Sequence, residues 1–233
     1  VGTHAMSIFG DHSDVMSCRN SGFAMLCTSS VQEILDLAAA AHVCAVKSGI
    51  PFMHFFDGFR TSHEISRAEA MTQEQLASLL DNDALARFRA HAVNPEHPLL
   101  HSTVQNPDVY FQVREANEPF YAALPDIVED CFARINAMTG RDYHLFNYYG
   151  APDAEHVAVA MGSVSGAACE AVDYLNARGH RVGFVQVHLF RPFSFRHFFA
   201  ALPETVKGIA VLDRCKEMGS AGEPLYQDVC TAV

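Results

Sequence analysis

The side chains in this sequence that could do chemistry gather just after short apolar runs. Gly10-Asp11-His12-Ser13-Asp14 places two carboxylates and an imidazole beside a glycine. Such a group can move a proton or touch a ligand. The same residues also suit a helix N-cap, in which Asp11 or Ser13 accepts backbone N–H bonds and Gly10 permits the turn. The densest polar cluster is Asp57-Gly58-Phe59-Arg60-Thr61-Ser62-His63-Glu64. It misses both motifs it approaches. A diphosphate–magnesium loop wants Gly where Phe56 stands, followed by an Asn. A zinc motif opening on His63-Glu64 wants a second His where Arg67 stands. Two readings stay open: an ordered loop held by Arg60, Asp57 and Glu64, or a conformational or interdomain contact. Gly162-Ser163-Val164-Ser165-Gly166 could cradle a phosphate at a helix N-terminus. It lacks the Gly-x-Gly-x-x-Gly spacing, and the next strand ends in His188-Leu189-Phe190-Arg191, with no acidic residue for a ribose. A helix cap at Ser163 or Ser165 is the plain reading. His91, His97 and His101 lie in a proline-broken stretch and read as surface residues rather than metal ligands. No metal site and no nucleophile–base arrangement is predicted.

The elements that must position these groups follow from periodicity. Ala5 to Phe9 is strand-like, and Phe23 to Cys27 is a second apolar run. Ser30-Val31-Gln32-Glu33 reads as a capping box for a helix carrying Ile34, Leu37, Ala38, Ala41 and Ala45 and stopping near Gly49. Pro51 to Phe56 is a third strand, and Thr72 to Gln75 and Ala84 to His91 predict further helices. Residues 94–123 are broken by Pro95, Pro98, Pro107 and Pro119, and one helix is predicted over Pro125 to Met138. A second alternating block has strands at Val157–Met161, Val182–Leu189 and Ile209–Leu212, with helices between them and from Pro224. Near-continuous apolar strands alternating with helices mean parallel sheets covered on both faces. The prediction is an α/β protein with two doubly wound parallel-sheet lobes, residues 1–93 and 154–233. A loop-rich linker over 94–153 joins them. In such sheets ligands gather at the carboxyl ends of strands. That also singles out Thr28-Ser29-Ser30, Arg191-Pro192 and Asp213-Arg214.

Composition narrows the function classes. The chain has 233 residues, 49% hydrophobic and 18% charged, with a formal net charge of −11. That charge argues against nucleic acid, which needs clustered Lys and Arg. No apolar run approaches the roughly 20 residues of a membrane helix. The seven cysteines, at 18, 27, 44, 131, 169, 215 and 230, form no Cys-x-x-Cys pair and read as reduced thiols, favouring the cytoplasm. The chain opens on Val1-Gly2-Thr3-His4 and closes on Cys230-Thr231-Ala232-Val233 inside a helical pattern, so both ends read as cut from a longer polypeptide.

Several segments, in one order from end to end, carry a resemblance. They include Ser7 to Met16, Gly22 to Leu26, Pro51 to Glu64, Asn94 to Pro98, Gln105 to Gln112 and Gly150 to Glu155. Arg191-Pro192-Phe193, Val211 to Arg214 and Gly222 to Tyr226 continue it. The sequence resembles the pyruvate:ferredoxin (flavodoxin) oxidoreductase family. Asn20-Ser21, Cys215 and Met218-Gly219 depart from its usual residues. The resemblance implies a large homodimeric enzyme using thiamine diphosphate, magnesium, iron–sulfur clusters and CoA. Such an enzyme oxidatively decarboxylates pyruvate to acetyl-CoA and passes electrons to ferredoxin or flavodoxin. It implies a first lobe like a thiamine-pyrimidine domain and a second like the transketolase C-terminal domain. The groups that prime the coenzyme would fall before Val1, and the magnesium loop and cluster cysteines after Val233. The expectation is therefore a fragment with no catalytic residue, binding no cofactor alone and active only with the remaining domains of its enzyme. Gly10, Asp11 and His12 are expected to line a pocket wall near the cofactor. Arg60, Ser62, His63 and Glu64 are expected at a domain interface, and Asp57 near the cofactor or at that interface. The competing reading is a noncatalytic α/β module for assembly or dimer contacts. A dinucleotide-binding enzyme is the third.

Overall fold

A computed structural model describes residues 5, 7–98 and 104–233. The first half begins with α1 (Ser13–Ser17), β1 (Ala24–Thr28), α2 (Val31–Ser48) and β2 (Phe52–Phe56). Then come α3 (Gln73–Leu79), α4 (Asn82–Ala90), α5 (Pro107–Glu115) and α6 (Glu118–Thr139). The second half runs β3 (Phe146–Gly150), β4 (His156–Ala160), α7 (Val164–Asn176), β5 (Val182–Val187) and β6 (Leu189–Arg191). It ends with α8 (Phe195–Ala201), β7 (Gly208–Leu212) and α9 (Pro224–Ala232). The α/β class and the parallel pairs are as the alternating pattern predicts. β1 pairs with β2 in parallel, Ala24 opposite Phe52, and β5, β4 and β7 pair in parallel in the second sheet.

Both sheets also gain an antiparallel strand, which makes them mixed. β3 pairs with β5, Phe146 opposite Val187. The expected strand over Val182–Leu189 divides at His188. β5 stays in the four-stranded sheet, ordered β3-β5-β4-β7, while β6 crosses to the first sheet, ordered β2-β1-β6. There Leu189 lies opposite Leu26 and Arg191 opposite Met25. His188 sits at the crossing. Its N–H donates to the Leu145 carbonyl at 2.9 Å, and its carbonyl accepts the Cys27 N–H at 2.7 Å.

Other differences have local causes. Ser7 to Phe9 form no strand, and Met6, inside that predicted run, lies outside the described residues. Ile8 and Phe9 are instead about half exposed, and the Phe9 carbonyl accepts from Arg214. Among its described residues, the stretch 94–153 holds two helices and β3 where one helix was expected. Pro107 occupies the first turn of α5, where its missing N–H costs nothing. α6 starts upstream of the expected Pro125 and runs through it, because Leu124, Val128 and Phe132 bury one stripe against α2. α2 itself follows the pattern. The Ser30 side chain accepts the Glu33 N–H at 3.2 Å, Gly49 closes the helix at φ 74°, and Leu37, Ala40, Ala41 and Cys44 face inward. A single apolar cluster contains Met25 and Leu26 of β1, Phe132 of α6, Val159 and Val185 of the second sheet, and Leu225 of α9. The two sheets share one core.

Candidate functional site

Asp57 stands just past the C-terminus of β2 and is 1% exposed. Every oxygen of its carboxylate is engaged. His12 Nε2 lies 2.5 Å from Oδ1, and since a carboxylate only accepts, that nitrogen carries the proton. Oδ2 accepts the Ser163 backbone N–H at 2.6 Å and Arg214 Nη1 at 2.6 Å. Arg214 also donates to Ser163 Oγ at 2.6 Å and to the Phe9 carbonyl at 3.0 Å, while its own carbonyl accepts the His12 N–H at 2.9 Å. The cluster thus joins residues following β2, β4 and β7 with the loop before α1.

Two glycines make room for it. Gly162 has φ 78°, and a Cβ there would stand 2.7 Å from Asp57 Oδ2. Gly10 has φ 82°, and a Cβ there would stand 2.5 Å from Arg214 Nη2. Side chains at both would enter atoms already fixed by hydrogen bonds, in a backbone region that favours glycine. Burial alone would raise the Asp57 carboxyl. The bonds from His12 and Ser163, with the His12 charge, instead hold it well below the usual carboxylate range.

A second polar network lies at the end of β1. Glu33 Oε2 accepts the Ser29 N–H at 2.6 Å, and Gln186 Nε2 reaches both Glu33 oxygens at 3.1 Å. His188 Nε2 stands 3.4 Å from Glu33 and 2.8 Å from the Gln186 amide, while its Nδ1 donates to the His144 carbonyl at 2.7 Å. Burial opposes the Glu33 charge, but the charge and hydrogen bond of His188, with Ser29 and Gln186, lower its pKa to about 2. The predicted capping box at Ser30 is therefore half formed. The hydroxyl caps the helix, and the carboxylate is drawn off to Ser29 and the second sheet.

Of the residues singled out in the sequence, Gly10, Asp11, His12, Asp57, Ser62 and His63 line one cleft of about 550 Å³. Asp11 accepts the Ser13 N–H and hydroxyl, but the N-cap position of α1 is His12 and no side chain caps the helix there. Arg60, Ser62, His63 and Glu64 are exposed. Their backbone N–H bonds stay within residues 57–64. The Arg60 guanidinium lies over the Phe9 ring at 5.5 Å, and Ser62 Oγ meets His63 Nδ1 at 2.8 Å. Phe59, at φ 61°, is stacked on His63 and edge-on to Phe9. Within this chain Asp57 is one of the groups that join the lobes, and Arg60, Ser62, His63 and Glu64 face outward.

Sequence reasoning named the strand ends at Ser163 and Arg214 but did not join them to Asp57, and it gave Glu33 only a capping role. The signal was present: all these groups follow parallel strands, whose carboxyl ends converge. Among the described residues, no group of three or more His, Cys, Asp or Glu side chains stands where it could hold a metal ion. Both Asp57 oxygens are already bonded to His12, Ser163 and Arg214. These residues do not fit a diphosphate-bound magnesium or an iron–sulfur cluster, and no step here runs through either.

The family model described as "Pyruvate flavodoxin/ferredoxin oxidoreductase, thiamine diP-bdg" matches residues 1–133. The model for "Pyruvate:ferredoxin oxidoreductase core domain II" matches residues 154–233. A pyruvate-flavodoxin oxidoreductase of Enterobacter agglomerans is 59% identical over 230 residues, covering 99% of this chain and 20% of that protein. A pyruvate:ferredoxin oxidoreductase of Moorella thermoacetica is 56% identical over 231 residues, with the same coverage. The chain spans about a fifth of the length of these curated relatives. In fold it is similar to the 2-oxoglutarate:ferredoxin oxidoreductase of Magnetococcus marinus, at a TM-score of 0.55 and 14% identity over 99% of this chain and 42% of that one. Matched over more than half its residues by a family model and along nearly its whole length by relatives, the chain belongs to the pyruvate flavodoxin/ferredoxin oxidoreductase family.

Proposed function

We propose that this chain is the scaffold segment of a thiamine-diphosphate 2-oxoacid oxidoreductase that oxidatively decarboxylates pyruvate to acetyl-CoA and CO2. The parent enzyme is a cytoplasmic homodimer and passes electrons to ferredoxin or flavodoxin. Its magnesium, iron–sulfur clusters and CoA are held by domains outside these 233 residues. The observation that carries this reading is identity of 59% along 99% of the chain with a protein five times its length. The site geometry agrees with a supporting part. The groups at the strand ends are bonded to one another and so hold a surface in place. Within the scaffold, residues 1–93 and 154–233 act as the two lobes and 94–153 as their connection.

Gly10, Asp11 and His12 form a wall of the 550 Å³ cleft toward the coenzyme, with Asp57 fixing His12 from behind. Arg60, Ser62, His63 and Glu64, exposed here, meet another part of the enzyme. The test is turnover of pyruvate with CoA and ferredoxin. The full-length enzyme is expected to be active and this chain alone to be silent, even with thiamine diphosphate and magnesium. Turnover by the isolated chain would end the proposal. For the cleft, His12→Ala and His63→Ala in the full-length enzyme are expected to weaken coenzyme affinity or turnover; unchanged values for both reject the wall and interface roles.

A further inference from the structure

The four-stranded sheet is roofed unequally. One face of β4, β5 and β7 contributes Val159, Val185 and Ile209 to the shared core. Among the described residues the other face carries α7, which packs over β5 and β3. The buried cluster beneath it is small, consisting of Ala160, Val172 and Phe184. Beside α7, over β4 and β7, lies an apolar groove of about 430 Å³. Its floor is Ala158, Gly208, Ala210 and Leu212, its wall is Ala168 and Leu175 of α7, and no Asp, Glu, Lys or Arg lines it. Ala210 is exposed and Leu212 is 49% exposed.

Geometry says what fits. Strands lie about 4.8 Å apart and a helix with its side chains is about 10–12 Å across, so one helix roofs about two strands. Four strands need two helices on a face, and parallel strands are covered on both. One place is filled by α7, and the width left over β4 and β7 is that of one more helix. The floor is small at Ala158 and Ala210, which let a backbone approach closely so that bulky side chains from above fill what they leave, while the His156 ring lies against Gly208. The relatives supply the source, because about four fifths of their length lies outside the matched region.

We infer that the groove over β4 and β7 is the docking site of an amphipathic α-helix from elsewhere in the same polypeptide, lying beside α7 with a stripe of large aliphatic side chains facing Ala158 and Ala210. This rests on the reading that the chain is part of a longer enzyme, and it adds a specific internal interface to that reading. The size of the native subunit is therefore measured first: a subunit no longer than 233 residues defeats the parent reading itself. In the full-length enzyme, Ala210→Cys is then labelled with a maleimide alongside Glu170→Cys, an exposed position on α7. The thiol introduced at 210 is expected to react at least about tenfold more slowly than that at 170 in the native enzyme, and equally in urea. A photo-crosslinking residue in place of Leu212, in mixed heavy- and light-isotope subunits, is expected to capture a helical peptide from the same polypeptide outside residues 1–233. Equal native labelling at 210 and 170 overturns the inference while leaving the parent reading intact. A crosslink between heavy and light subunits overturns it in favour of a second copy. Protection with no captured peptide overturns it in favour of a small apolar ligand.

Discussion

Asp57, buried, and Glu33, partly buried, are carboxylates whose ionised forms are held by named donors, and each sets an expectation at the scale of a single side chain. Asp57→Asn keeps the shape but removes the charge that Arg214 and His12 face. Breaking a buried pair from one side costs about 3 kcal/mol, seen as a lower unfolding midpoint in urea. Gly162→Ala drives a methyl group into Asp57 at a positive φ and is expected to cost about 2 kcal/mol, whereas Gly166→Ala, with open space around it, should be close to neutral or stabilising. Both carboxyls have folded-state pKa values below their unfolded ones. Their contribution is therefore complete above the unfolded values, 4.5 for Glu33 and 3.8 for Asp57, and is lost as pH falls through the folded values. For Glu33, lowered to about 2, the loss between pH 4.5 and 2 is on the order of 3 kcal/mol. Unfolding free energy measured against pH should be flat near neutrality and drop in acid, with a shallower drop in Glu33→Gln. An unchanged acid slope in that variant contradicts the assignment.

At the scale of the element, the parts written locally in the chain were readable and the parts written by tertiary contact were not. α2 announces itself through Ser30, its apolar stripe and Gly49; Ser30→Ala is expected to cost about 1 kcal/mol by thermal melting, since one bond to the Glu33 N–H is lost. The cap expected at Thr72 is a full capping box, with Thr72 and Gln75 exchanging bonds of 3.2 and 2.8 Å. By contrast, Val182 to Leu189 is a mostly apolar run interrupted by Gln186 and His188, and nothing in it says that the strand leaves one sheet for the other at His188. Pro125 looks like a helix start, yet α6 passes through it because Leu124 on the near side is as deeply buried as Val128 on the far side. The site divides in the same way. Asp57 and His12 were picked out as residues, but their contact spans 45 positions, and Arg214 lies 157 positions from Asp57. No spacing rule reaches that far; only the convergence of parallel strand ends does.

At the scale of the whole molecule, the shared core and the crossing at His188 tie the halves together. A single unfolding transition is therefore expected when far-ultraviolet dichroism and tyrosine emission are followed together, there being no Trp in the chain. Two separated transitions would show that the lobes are independent. β6 has one more consequence, for inheritance. Because Leu189 to Arg191 complete a sheet begun by Met25 and Leu26, neither half is a self-sufficient module. Recombination between diverged genes anywhere from β2 to β5 would mate a foreign strand with a native sheet, so these two halves should share a common ancestry and drift in concert rather than be shuffled as separate cassettes.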